Sequence, residues 1–178
     1  MHGTPPRHLI ARGCSIASVF THHPHAKSRD VRILFLDIDG VLNRTGFRPD
    51  ESVGLRSWIE PELARRLCEV IEATDAGVVL SSDWRCGREL QHLHEELVAA
   101  GVACSLLGTT PVLGQARWRE IQAWMAEHHV DLESMVIIDD AYDMGPLAPR
   151  FVRTSPLNGL DEDSARSIRQ LFGIGSLS

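Results

Sequence analysis

At 178 residues, with 43% hydrophobic side chains, the chain suits one domain with a full core. Its formal charge of −6 makes it a poor match for duplex nucleic acid, whose binding runs on phosphate neutralisation, so no stable duplex binding is expected. No apolar run approaches the roughly 18 residues of a membrane span, so no membrane partner is expected either. Cys14, Cys68, Cys86 and Cys104 are scattered, without a Cys-x-x-Cys pair. They read as free thiols in a reducing compartment, which points to a cytoplasmic protein. Lys27 is the only lysine, so a catalytic cation in the domain must be an arginine.

Residues 1–30 carry four basic side chains and one acid, rich in His, Pro and Ser and without periodicity. They read as a disordered N-terminal extension, residues 31–178 being the folded domain. A transit peptide is the alternative, since such segments are Arg- and Ser-rich and acid-poor, but the amphipathic pattern it needs is weak. His22-His23-Pro-His25 reads as part of a solvated tail.

Val31 to Leu36 is a short apolar run that ends abruptly at Asp37, the pattern of a strand buried on both faces. Asn43 to Trp58, with Gly46, Pro49 and Gly54, predicts a loop or small flap. Pro61 opens a helix whose Leu63, Leu67, Val70 and Ile71 share one face. Val78-Val-Leu80 predicts a second strand, ending at Ser81-Ser-Asp-Trp-Arg85. A second helix carries Leu90, Leu93 and Leu97 and stops at Gly101. Val102 to Leu106 is expected as a third strand and Gly108 to Gly114 as a loop. A third helix, Arg117 to His129, buries Ile121, Trp124 and Met125. Met135 to Ile138 is a fourth strand, ending at Asp139-Asp140, and Phe151-Val152 a fifth. Asp161 or Asp163 caps a last helix. The alternation implies a parallel sheet with right-handed crossovers covering both faces.

On that layout Asp37/Asp39, Ser81/Ser82 and Asp139/Asp140 stand at the carboxyl ends of three strands, on one edge of the sheet. Two carboxylates one residue apart repel, and a protein that keeps them supplies a cation or protonates one. An acidic pair, a hydroxyl and a second acidic pair, each directly after an apolar strand, form a specific signal where a lone Asp-x-Asp does not. Each piece also has a plainer reading. The carboxylates can cap turns, the serines can cap a helix, and Arg117 can be a solvated helix residue. Arg85 and Trp84 stand where they can face substrate, but Trp84 reads more readily as core, and neither is placed in the site.

Phe35-Leu-Asp-Ile-Asp-Gly-Val-Leu42 resembles the first motif of the haloacid dehalogenase-like (HAD) superfamily, in which the first Asp is nucleophile and the second general acid/base. Val79-Leu-Ser81 resembles the second motif, whose hydroxyl holds the phosphoryl group. Val136 to Asp140, with Asp143, resembles the acidic fourth motif. The third motif is normally Lys and sometimes Arg. Arg117 stands in its place, with Arg119 as rival. The resemblance covers about residues 31–172. It is closest to the small, cap-poor HAD domains of bacterial RNA-repair proteins, through Ser-Ser-Asp-Trp-Arg85, Glu-Ile-Gln-Ala-Trp124 and Thr-Ser-Pro-Leu-Asn-Gly-Leu160.

The resemblance implies a three-layer α/β/α Rossmannoid with a mainly parallel sheet and a minimal (C0-type) cap. It implies a magnesium-dependent phosphatase acting through an aspartyl-phosphate on a phosphomonoester, either a small molecule or a nucleic-acid end. The implied catalytic residues are Asp37, Asp39, Ser81 (or Ser82) and Arg117. The implied Mg2+ ligands are Asp37, Asp39 through its backbone carbonyl, and Asp140, with Asp139 as ligand or orienter. The chemistry agrees, since phosphoryl transfer needs an in-line nucleophile and positive charge around the equatorial oxygens. The alternative is a catalytically idle HAD-fold binding or regulatory module. A receiver-like domain expects a lysine that this domain lacks, and a dehalogenase needs no acid at Asp39.

Overall fold

The computed structural model describes residues 31–175. Cys14, the histidine-rich run and the expected N-terminal extension lie outside the described residues. A five-stranded, all-parallel sheet runs in the order β3-β2-β1-β4-β5. Its strands are β1 (Ile33–Leu36), β2 (Gly77–Leu80), β3 (Leu106–Thr109), β4 (Met135–Asp139) and β5 (Phe151–Arg153). Four helices cover it: α1 (Pro61–Thr74), α2 (Leu90–Ala99), α3 (Arg117–His128) and α4 (Glu162–Leu171). The central strand β1 is wholly buried, as its unbroken apolar run requires of a strand covered on both faces.

The alternation of side chains along the strands splits the core in two. Leu34, Leu36, Val78, Leu80, Val136 and Ile138 face α1, α2 and α4. Ile33, Phe35, Val79 and Ile137 face α3, where Phe35 meets Trp124 edge-on at 5.4 Å. Leu63, Leu67 and Val70 on the inner stripe of α1 are each fully buried, worth about 1.5–3 kcal/mol apiece. The helix opens with Pro61, where the missing N–H costs nothing. Asp161 caps α4 by accepting from Ser164 N–H at 2.9 Å. No described helix is long and apolar enough to cross a membrane.

One strand departs from the sequence expectation. Residues 102–105 are not strand. Val102 instead donates its N–H to the Leu97 carbonyl, finishing the turn that ends α2. The third strand comes later, at Leu106–Thr109, sharing only Leu106 with the expected strand and running into the segment from Gly108 expected to be loop. It is an edge strand, with Leu107 exposed and the register shifting beside Val78. Its residues therefore lack the fully apolar run that marks β1, β2 and β4, and Gly108 weakens its signal further.

The chain leaves β1 for β2 and β3, then returns across the sheet to β4. The reversal falls between β1 and β4, whose carboxyl ends open the crevice where such sheets bind ligands. The segment between β1 and α1 holds only a short 3-10 turn at Leu55–Trp58. The segment between β2 and β3 holds a 3-10 turn and α2. Neither of these two segments contains an inserted domain that would cover the crevice.

Candidate active site

Asp37 follows β1 directly and is 6% exposed. Its N–H still donates to the Ile138 carbonyl at 3.0 Å, so the β1–β4 ladder fixes it beside Asp139. Asp139 closes β4 and is 2% exposed, and Asp140 is next along the chain. One carboxylate oxygen from each of Asp37, Asp139 and Asp140 lies within 4.8 Å of the others. At an effective dielectric near 20, each such pair repels by roughly 3.5 kcal/mol when both are ionised.

Burial raises the pKa of Asp37, and the Arg117 guanidinium and the Ser82 hydroxyl pull against that rise. Asp139 is pushed up to about 7, first by burial and then by the charge of Asp37. Its Oδ1 accepts from Ala141 N–H at 2.8 Å, while its buried Oδ2 has no hydrogen-bond partner among the described residues. An all-oxygen set containing a stranded carboxylate oxygen fits a hard divalent cation.

The backbone makes room for this arrangement. Gly40 sits at φ +70°, and a Cβ there would fall 2.7 Å from Cγ of Asp140. Only glycine allows both the turn and the close approach. The buried Thr154 hydroxyl, just past β5, donates to the Gly40 carbonyl at 2.8 Å and ties the turn to the far side of the crevice.

Arg117 opens α3 and points into the cluster. Its Nη1 lies 3.6 Å from Asp37 and its Nε 3.9 Å from Asp139, while its Nη2 donates to Asp83 at 3.4 Å. The buried Nη1 has no hydrogen-bond partner among the described residues. Arg119 turns the other way and lies over the Trp118 ring at 4.7 Å.

Ser81 and Ser82 are both buried. The pairing of Leu36 with Leu80 puts Ser81 level with Asp37, and its N–H donates to the Leu36 carbonyl at 2.8 Å. The Ser81 hydroxyl is unpartnered among the described residues, as is that of Thr110, the residue after β3. Ser82 caps the following 3-10 turn, Asp83–Arg85, with its hydroxyl 3.5 Å from Trp84 N.

Asp39 lies outside the three-carboxylate cluster. Its exposed carboxylate accepts from Asn43 Nδ2 at 2.9 Å and from Trp84 Nε1 at 3.0 Å. Asp143 is exposed and accepts from Gly145 N–H, closing a turn.

Two residues that support the site were not assigned to it from sequence. Trp84 is half-buried and reaches Asp39 rather than serving only as core. Arg85 is 4% exposed and donates to the carbonyls of Thr110, Ser81 and Ser82 at 2.9, 3.0 and 2.7 Å. It also pairs with buried Glu120 of α3. It thus clamps the ends of β2 and β3 to the helix that carries Arg117. A signal existed at Glu120, an acid beside inward-facing Ile121 and in step with Trp124, which needs a buried cation.

Residues 33–165 match the family model described as the HAD domain in Swiss Army Knife RNA repair proteins, and the chain belongs to that family. No curated relative matches.

Proposed function

We propose that this HAD domain is a magnesium-dependent phosphohydrolase that works through an aspartyl-phosphate on Asp37. The observation that carries the reading is the convergence of Asp37, Asp139 and Asp140 with Arg117, together with the buried Ser81 Oγ, Arg117 Nη1 and Asp139 Oδ2, which have no hydrogen-bond partner among the described residues. Asp37, Asp139 and Asp140 would hold the divalent cation, which on binding neutralises the carboxylates and the incoming phosphate.

Asp37 attacks phosphorus in line with the leaving oxygen, and Asp39 protonates that oxygen as its bond to phosphorus breaks. A water then attacks the acyl phosphate with Asp39 as base, releasing phosphate and restoring Asp37. Arg117 balances charge on the equatorial oxygens, and Ser81 donates its free hydroxyl to one of them.

The lack of an inserted cap domain in the two segments beside the crevice and the family's association with RNA repair favour the phosphorylated end of an RNA strand over a small metabolite. The acidic charge fits contact with a strand end better than a grip along a duplex. The test is turnover of a phosphomonoester with and without Mg2+, in wild type and Asp37→Asn. Turnover that needs both the ion and Asp37 supports the reading, and turnover surviving Asp37→Asn refutes it. Comparing 3′-phosphorylated oligonucleotides with sugar phosphates decides the substrate class.

A further inference from the structure

Asp39 is exposed, yet both of its carboxylate oxygens are engaged. Asn43 donates to Oδ1 from within the same turn, and its own Oδ1 accepts from Gly40 N–H at 3.1 Å. Trp84 donates to Oδ2 from a different strand end, 45 residues away in sequence. Three features fix the indole itself. Its backbone lies in the 3-10 turn capped by Ser82 and anchored by Arg85. The ring packs near Trp58 of the flap, with centroids 6.5 Å apart, and the Arg88 guanidinium lies 5.1 Å from its centroid.

Resting on the phosphohydrolase reading, we propose that Trp84 is a positioning residue that aims the Asp39 carboxyl for proton transfer. An exposed aspartate free to rotate spends little time in line with a leaving oxygen, and misplacement by about 1 Å can cost about a hundredfold in rate. In the step it serves, Asp37 forms a bond to phosphorus and the P–O bond electrons pass to the leaving oxygen. That oxygen takes the Asp39 proton. The resulting carboxylate keeps its two N–H donors and then accepts a proton from the attacking water.

Trp84→Phe keeps a ring between Trp58 and Arg88 but removes the N–H. The informative quantity is kcat/KM, which reports steps up to transfer onto Asp37, for two esters. An alkyl phosphate has a poor leaving group that needs the proton, whereas p-nitrophenyl phosphate has a good one that does not. The expected result is a loss of about tenfold or more on the alkyl ester and a much smaller loss on the aryl ester. In an Asp39→Asn background, Trp84→Phe should cost the alkyl ester nothing further.

Equal losses on both esters, or none, with wild type active, overturn the inference and leave the phosphohydrolase reading standing. No turnover of either ester, or of a 3′-phosphorylated oligonucleotide as the alkyl ester, by wild type with Mg2+ sinks that reading and this inference with it. Independently of turnover, the Trp84 indole N–H resonance should move in Asp39→Ala. An unmoved resonance overturns the contact.

Discussion

Replacing Arg85 by Met should cost the fold several kcal/mol, although Arg85 touches no reacting group. Its side chain is 2% exposed and that of its partner Glu120 is 7% exposed. Methionine keeps much of the aliphatic volume but leaves Glu120 buried, its Oε1 still accepting from Leu113 N–H at 2.8 Å and its Oε2 without its cation. Stranding one member of a buried pair costs about 3–5 kcal/mol. The carbonyls of Ser81, Ser82 and Thr110 lose their donor too, although water entering from the crevice offsets part of that. The salt bridge from Arg85 to the exposed Asp83 adds little. A total of about 4 kcal/mol is large against a typical 5–15 kcal/mol of stability, so the variant should fold but unfold at much lower urea. Urea titration should show a lower midpoint with an unchanged slope. Adding Glu120→Gln should restore about 1–2 kcal/mol by removing the stranded charge. A loss under about 1 kcal/mol, or a Glu120→Gln change that destabilises the variant further, would refute the reasoning.

Gly40→Ala should lower metal affinity at least about tenfold, because its Cβ needs the space of the Asp140 carboxylate and φ is +70°; calorimetric titration with Mg2+ or Mn2+ measures it. Arg117→Ala should cut turnover by about a hundredfold or more, and Arg117→Lys should recover part of it, since charge matters at this place beyond the fork geometry. The metal-free protein should lose stability as pH rises. Asp139 has a folded pKa of about 7 against 3.8 for the free side chain, so the folded state binds more protons in that window. Its contribution is full below about pH 4, declines through the window up to pH 7 and is gone above it, at most about 4 kcal/mol in all. Thermal melts at pH 5.5 and 8 should therefore differ more without Mg2+ than with it, and equal shifts would contradict the assignment.

The sheet's inner strands were legible because their apolar runs end sharply at polar residues. That same ending places Asp37 and Asp139 on one edge of the sheet, and β1 and β4 do pair side by side. Residues 102–105 misled because Val102 is buried like a strand residue yet hydrogen-bonds back to α2. The partner choices were not legible. Sequence spacing cannot say that Arg117 turns inward while Arg119 lies on Trp118, nor that an indole 45 residues from Asp39 reaches its carboxylate. Those depend on the relative placement of strand ends, which only the assembled sheet sets.

The most direct test of the aspartyl-phosphate is a single-turnover reaction in heavy-oxygen water, followed by proteolysis and mass spectrometry. If water attacks phosphorus in the acyl phosphate, as proposed, phosphate carries the heavy oxygen while the Asp37 peptide stays light. Acid-quenching the same reaction before hydrolysis should catch one phosphoryl group on the Asp37 peptide. Product phosphate formed with no phosphorylated Asp37 at any time, under conditions where hydrolysis of the acyl phosphate is slowed by Asp39→Asn, would contradict the account.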